Sequence, residues 1–193
     1  MRKKHLRLLT VSSFLVLFMV FISVKAYADE QKRLGFGFGV NYYLGSDSRF
    51  TGNGNLFLLT FRLSDEFTVS FLREEFKLDG AGRSYDGIKR NVDVDCSITG
   101  MRILRRITNL LSIGIDIGNA DFSNGISDDT IMGGVIVTFT TLESKGELFN
   151  SQLNMDLGYK ILNINNTDVF DNPSKLVEDL SSFFIGLNLK ILF

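Results

Sequence analysis

The chain ends in Phe183-Phe184-Ile185-Gly186-Leu187-Asn188-Leu189-Lys190-Ile191-Leu192-Phe193, in which every odd position is apolar and the last residue is aromatic. Because successive side chains of a β-strand point to opposite faces, the odd positions form one continuous apolar face. The even face carries Asn188 and Lys190, which an ordinary soluble core would exclude. A fully apolar face backed by a mixed polar face is the inside-out pattern of a transmembrane barrel strand.

Residues 1–28 have the pattern of an export signal. Four basic residues within positions 2–7 precede an almost wholly apolar run at 8–24, and Ala26-Tyr27-Ala28 places small residues where a signal peptidase reads them. We therefore predict that residues 1–28 are a cleaved signal peptide and that residues 29–193 form one outer-membrane β-barrel domain. A retained single-pass anchor is the alternative, because the apolar run approaches the roughly 20 residues that span a bilayer.

Composition excludes several functions for the mature chain. Residues 1–28 hold five of the 21 basic residues and none of the 22 acidic ones, so residues 29–193 carry a formal charge of −6. Such a chain has no basic footprint for nucleic acid, and we expect no nucleic-acid partner. Cys96 is the only cysteine, which rules out an internal disulfide and a thiol cluster for zinc. We predict no cofactor and no metal site.

Eight segments of the mature chain alternate apolar residues with glycine or polar residues. Each is close to the length of a tilted membrane strand, about 9–11 residues. No apolar run of 18 residues follows residue 28, so a membrane crossing would fall to strands, which must close into a barrel to satisfy their backbone groups. The predicted strands cover residues 34–44, 55–63, 67 to about 73, 91–103, 111–121, 131–141, 151–161 and 183–193.

The alternation also predicts which side chains face lipid and which face the lumen. In the fourth segment, Val94 and Cys96 share one face, and Asp93 and Asp95 share the other. We therefore expect Cys96 to face lipid as a small hydrophobe. Charged residues opposite the apolar faces are expected to pair inside the barrel, because an unpaired buried charge is costly: Arg62, Asp93, Asp95, Asp116, Asp156, Lys160 and Lys190.

The links between the predicted strands alternate in length. Short links fall near residues 64–66, 105–109 and 142–148, and longer ones, rich in Asp, Asn, Ser and Gly, fall near 45–54, 79–90, 122–130 and 162–182. Short periplasmic turns and longer extracellular loops are typical of bacterial outer-membrane barrels. The sequence therefore predicts an all-β fold, an eight-stranded antiparallel up-and-down transmembrane barrel.

Two of the long links carry weaker motifs. Asn172 suits a helix cap and Pro173 the first helical position, which predicts a helical turn or two at the barrel rim, with a mobile loop as the alternative. The oxygen ligands between Asp121 and Asp129 are spaced loosely like a calcium loop. That segment lacks the regular pattern and the closing Glu, so we expect a solvated surface loop.

An export signal, eight amphipathic strands, alternating links and a terminal strand ending in Phe193 resemble the small eight-stranded outer-membrane barrel proteins, including the opacity-type surface antigens and OmpA-like membrane domains. The resemblance covers the whole mature chain. It implies that Phe193, with Leu187, Leu189 and Ile191, is the signal read by the barrel-assembly machinery. Since the chain has no Trp, any aromatic girdle must come from Tyr and Phe, such as Tyr42, Tyr159, Phe67 and Phe139.

Enzymatic activity is not expected. The barrel enzymes of outer membranes resemble one another in using a His beside a Ser or an acid, and His5, the only histidine, lies in the predicted signal peptide. We predict no catalytic residue. A carboxylate-only mechanism, in which Asp93 and Asp95 act with Asp116 or Asp156, is the alternative.

For function, the sequence predicts a non-enzymatic outer-membrane protein with a structural, surface-interaction or adhesion role. Its expected partners are the lipid bilayer, the assembly machinery and an extracellular ligand or envelope partner bound through the loops. The alternative is a small channel or carrier for hydrophobic or small polar solutes, for which Gly35, Gly37 and Gly39 would provide room. Those glycines would otherwise relieve crowding where the first and last strands meet. An eight-stranded barrel has an interior just wide enough for side chains to fill.

Overall fold

The structure is a computed structural model that describes residues 33–45, 50–83, 89–122, 130–162 and 180–193. Side chains are described throughout these ranges except at 81–83 and 89–92. The predicted signal peptide, residues 123–129 of the calcium-like segment, and Asn172 and Pro173 lie outside them. Within these five ranges no helix has the length and apolar character that a membrane crossing requires.

The described residues form eight β-strands that close into one barrel. Each strand pairs antiparallel with its neighbours in sequence, and β8 closes the ring on β1. The predicted up-and-down meander is therefore confirmed. The strands are β1 Leu34–Gly45, β2 Phe50–Arg62, β3 Phe67–Arg83, β4 Lys89–Arg106, β5 Leu111–Phe122, β6 Thr130–Lys145, β7 Asn150–Ile161 and β8 Ser182–Leu192.

The register fixes the stagger of the barrel. A line of paired residues that leaves β1 at Leu34 returns to β1 at Leu44, ten residues further along the strand. Strands of such a staggered barrel are tilted, typically by about 40° to the barrel axis. Every residue on the line is apolar: Leu34, Phe61, Val69, Ile103, Ile115, Val135, Tyr159, Phe183 and Leu44.

Two of the short links have a hydroxyl residue at their second position, which stabilises a tight turn. Ser64 Oγ accepts a hydrogen bond from the backbone N–H of Phe67 at 3.1 Å, and Thr108 Oγ accepts one from Leu111 at 3.1 Å. Such side-chain turns suit Ser and Thr because their hydroxyl replaces a backbone acceptor. We call this end of the barrel, with links 63–66, 107–110 and 146–149, the turn end, and the opposite end the loop end.

Several strands are longer than the sequence predicted. β3, β4 and β6 have 17, 18 and 16 residues, so residues expected in links continue the ladder. The links at the loop end shrink to residues 46–49, 84–88 and 123–129, and only the link after Leu162 keeps its expected length. The links at the two ends of the barrel therefore differ less in length than the sequence predicted.

The predicted facing of β4 was wrong in its first half. Val94, Cys96 and Ile98 are buried inside the barrel, whereas Asp93 and Asp95 lie on the outside. The strand continues past the membrane belt, so water replaces lipid around it and the polarity of its two faces reverses. Cys96 is consequently a core residue, only 4% exposed, and does not face lipid.

The glycines of β1 relieve crowding at the closing seam. A Cβ placed on Gly35 would lie 2.3 Å from the backbone oxygen of Ile191, and one on Gly39 would lie 2.6 Å from that of Leu187. Both oxygens belong to β8. Two of the three glycines therefore permit a close approach of β1 and β8.

Candidate functional site: lumen and outer wall

A charged cluster fills the middle of the lumen. Arg102 on β4 donates two hydrogen bonds to Asp116 on β5, at 2.8 and 2.9 Å, and a third to Asp156 on β7 at 2.7 Å. Thr138 and Asn188 also donate to Asp156, at 2.8 and 2.9 Å. All three charged side chains are almost fully buried, and their pairing offsets the cost of removing them from water.

A second charged cluster lies closer to the loop end. Lys160 on β7 forms an ion pair with Glu74 on β3, and Tyr43 and Asn41 on β1 donate hydrogen bonds to the same carboxylate. Lys160 also donates to the Tyr43 hydroxyl at 2.8 Å, and its ammonium lies 4.9 Å from the ring centre of Phe184. The cluster therefore ties β1, β3 and β7 together across the barrel.

Apolar side chains close the lumen beyond these clusters. They come from β3 to β6 and from Leu162 and Leu180, which flank the last link. Side chains can fill the interior of an eight-stranded barrel. The described part of the lumen is therefore a packed core at the loop end, built from Phe76, Leu78, Val94, Cys96, Phe122, Met132, Leu162 and Leu180.

The lumen holds most of the charges that the sequence placed there, and three that it did not: Glu74, Arg102 and Arg106. Asp116, Asp156, Lys160 and Lys190 are buried inside as predicted, and Arg62 lines a cavity there. Two partners, Glu74 and Arg102, were missed. Glu74 lies where the alternation of β3 became ambiguous, and Arg102 lies on the same face of β4 as Val94 and Cys96, which the sequence assigned to lipid. The outward pair Met101 and Ile103 carried the correct signal.

A small cavity opens at the turn end of the lumen. It has a volume of about 30 Å³, and three cationic side chains line it: Arg62, Arg106 and Lys190. Lys190 is only 7% exposed. Hydroxyl and amide side chains complete the lining, among them Thr60, Thr68, Ser112, Thr140 and Gln152.

The apolar belt on the outside of the barrel differs in height between its two sides. On β1 the outward residues are apolar from Leu34 to Leu44, a rise of about 25 Å along a strand tilted by about 40°, which is a complete membrane belt. On β3 the outward apolar residues end at Phe71, and Arg73 and Glu75 follow at exposed positions. The belt at β3 is therefore about half as high as at β1.

Polar side chains cover the loop-end halves of β2 to β5, a surface that we call the outer wall. Two ion pairs lie on it, Arg73 with Glu75 at 2.8 Å and Lys77 with Asp95 at 3.2 Å. Behind the wall the inward side chains other than Glu74 are apolar, as in a water-soluble barrel. Its outward residues are Asn53, Asn55, Arg73, Glu75, Lys77, Asp79, Asp93, Asp95, Ser97, Thr99, Asn119 and Asp121.

A groove of about 960 Å³ follows the border between the outer wall and the belt. One side of it is apolar and the other is polar, so an amphipathic molecule would match it. The apolar side is formed by Val40, Tyr42, Ile185 and Leu187, and the polar side by Asn53, Asn55, Glu75 and Lys77.

The described residues contain no group of three or more His, Cys, Asp or Glu side chains placed to hold a metal ion. The four carboxylates of the alternative enzymatic reading are not brought together. Asp116 and Asp156 bind Arg102 inside the lumen, whereas Asp93 and Asp95 lie outside.

Comparison with known proteins finds no family model and no curated protein that matches the chain. Solved structures similar to it include the outer membrane protein Ail of Yersinia pestis in a phospholipid nanodisc, with 12% identity, 81% of this chain and 99% of that chain covered, and a TM-score of 0.46. AlkL in lipid bilayers shares 10% identity over 86% of this chain and 93% of its own, with a TM-score of 0.39. The de novo designed protein TMB2.3 shares 12% identity with it, over 85% of this chain and 98% of its own, with a TM-score of 0.40. At these values the likeness supports no inference about activity.

Proposed function

We propose that this chain is a non-enzymatic protein of the bacterial outer membrane that acts through its outer wall, in a structural, surface-interaction or adhesion role. The observation that carries the proposal is the reversal of polarity along β3. From Phe67 to Phe71 this strand faces lipid. From Arg73 onward its outward side chains are charged, whereas its inward side chains beyond Glu74 are apolar. Such a construction presents a rigid polar surface to the outside without using the lumen.

The opacity-type and OmpA-like families remain the proposed relatives of this chain. Under that proposal, residues 1–28 are removed on export and the assembly machinery reads the terminal strand. Phe193 supports this role through its position, since its backbone N–H donates to Leu34 of β1 at 2.7 Å and its ring lies 5.5 Å from that of Phe36. The assembly signal therefore coincides with the seam that closes the barrel.

The channel or carrier function is the weaker candidate. Arg102 and its two carboxylate partners occupy the middle of the lumen, and apolar side chains pack the loop end. A carrier would instead have to use the amphipathic groove on the outside. We therefore expect a folded barrel that does not conduct ions.

Purified folded protein in planar bilayers separates these functions. We expect no conductance steps above the bare bilayer, and no flux of small polar solutes into liposomes. A general bacterial porin reconstituted in the same bilayers is the positive control for the assay. Reproducible conductance steps of the unchanged protein would favour the channel.

Binding assays test the outer wall directly. Folded protein on nanodiscs would be offered to surfaces coated with extracellular-matrix components and to whole cells. We expect the variant Arg73→Gln with Lys77→Gln to lose at least tenfold in binding. The matched control, Arg105→Gln at the turn end, should bind like the unchanged protein, because Arg105 pairs with Glu66 on the opposite side of the belt. Equal binding by all three proteins would contradict the proposal.

A further inference from the structure

The positive charge of the lumen is unevenly distributed. Three buried carboxylates, Glu74, Asp116 and Asp156, share two cations, Lys160 and Arg102, in the middle of the barrel, which leaves one negative charge there. Three further cations, Arg62, Arg106 and Lys190, line the turn-end cavity. Among the described residues none of these three side chains has an ion pair or a hydrogen bond. The turn end therefore holds a local excess of positive charge.

Lys190 is the least accessible of the three. It is 7% exposed, and the carboxylate on the neighbouring strand, Asp156, already accepts from Arg102, Thr138 and Asn188. The Lys190 ammonium forms no ion pair within the described residues and lines the cavity, where it is accessible to a small anion. An anion in the cavity would supply the missing partner.

The lining of the cavity also suits an anion. Thr68 and Ser112 line it, and neither makes a side-chain hydrogen bond within the described ranges. Hydroxyls can donate to an oxyanion, and the planar guanidinium of Arg matches two oxygens of a phosphate or carboxylate at once. Two carboxylates are bound to the lining: Glu143, an exposed residue, accepts from Gln152 at 3.1 Å, and Asp156 accepts from Thr138 at 2.8 Å.

We propose that the turn-end cavity is a binding site for a phosphate group, held by Lys190, Arg62 and Arg106 and by the hydroxyls of Thr68 and Ser112. Its volume of about 30 Å³ accommodates a group of a few atoms and no more. The phosphate is either a free ion or the end of a larger molecule that reaches the mouth from the turn end. This site lies at the opposite end of the barrel from the outer wall, so it does not depend on the function proposed above.

Titration of folded protein in uncharged detergent micelles tests the site, with inorganic phosphate and glycerol 1-phosphate as separate probes at constant ionic strength in chloride. We expect saturable binding of phosphate by calorimetry, and shifts of the backbone amide signals of Lys190 and Leu192 by NMR. Equal affinity for glycerol 1-phosphate would show that the site accepts a substituted phosphate, and binding of the inorganic ion alone would show a site for the free ion.

Lys190→Met is expected to weaken phosphate binding at least tenfold. The matched control is Arg105→Met, which removes a cation from the same end of the barrel but from its outer face. Should Lys190→Met fail to fold, Arg106→Gln takes its place. The Arg106 side chain is only half-buried, so its replacement should disturb the packing of the barrel less. The proposal is overturned if neither probe binds saturably, or if the lumen variant and the Arg105 control retain equal affinity.

Discussion

Lys160 and Glu74 form an ion pair across the full width of the lumen, since β7 and β3 lie four places apart in a closed ring of eight strands. The pair is 86 residues apart in sequence. It can form only when every intervening strand has its native register, so it reports on completion of the barrel. Its burial makes it sensitive to the loss of either partner.

Glu74→Gln should destabilise the folded barrel by about 3–5 kcal/mol, because it leaves Lys160 buried without its counter-charge. The measurement is urea-induced unfolding, followed by the gel-mobility difference between heated and unheated protein. Glu75→Gln, one residue along and 65% exposed, is the control and should cost less than about 1 kcal/mol. Similar losses for both variants would mean that the ion pair contributes no more than a surface pair.

Arg102→Met should destabilise the folded barrel about as much as Glu74→Gln does. The change strands Asp116 and Asp156 in the lumen without the guanidinium that bridges them, and we expect a loss of about 3–5 kcal/mol in the free energy of unfolding. Arg105→Met provides the comparison, because Arg105 pairs with Glu66 at 3.5 Å with both side chains more than half exposed. If the two methionine variants unfold at the same urea concentration, the bridging role of Arg102 is wrong.

Because the apolar belt differs in height around the barrel, two outward residues at the same level should have different surroundings, one water and the other lipid. Ten residues of stagger over eight strands raise each successive strand by about 1.25 residues, which places Asn55 on β2 and Tyr159 on β7 within about one residue of the same level. Spin labels at these positions, in a Cys96→Ser background in lipid bilayers, should differ. The label at 55 should be more accessible to a water-soluble relaxation agent, and the label at 159 to oxygen. Equal profiles would show that the belt has one height.

Cys96 offers a test of the facing of β4. Since its side chain packs in the lumen, we expect neither a membrane-impermeant nor a lipid-soluble maleimide to label folded protein at a rate above one-tenth of that in urea. A cysteine introduced at Met101, which is 49% exposed on the belt, should react with the lipid-soluble reagent. Fast labelling of Cys96 by that reagent in bilayers would restore the lipid-facing assignment.

Deletion of Phe193 should separate assembly from stability. In detergent we expect a loss of only about 1 kcal/mol, corresponding to one hydrogen bond to Leu34 and one ring contact. In cells the same deletion should abolish insertion into the outer membrane. Phe183→Ala is the matched control, because it removes an aromatic contact with Tyr159 at the other end of the same strand. Unchanged insertion of the deletion variant would refute the proposed assembly signal.

Sequence periodicity was sufficient to predict a strand and the facing of its side chains wherever one face of that strand contacts lipid. The alternation in β1, β5, β7 and β8 gave both the strand and its facing, and it placed Asp116, Asp156 and Lys160 inside. It failed in the first half of β4, where Asp93 and Asp95 were assigned to the lumen. Alternation alone does not say whether lipid or water lies outside a strand. In lipid the apolar side chains point outward, and in water they point inward.

The sequence by itself therefore determined that this chain forms a closed barrel of eight antiparallel strands, because a period of two with an apolar face is a local property of each segment. Only the tertiary structure decided which charges meet. The partnership of Glu74 with Lys160, that of Arg102 with Asp116 and Asp156, and the cationic cavity around Lys190 depend on the stagger of ten residues around the ring. That stagger is a property of the closed barrel, since it is set by the sum of all eight pairings.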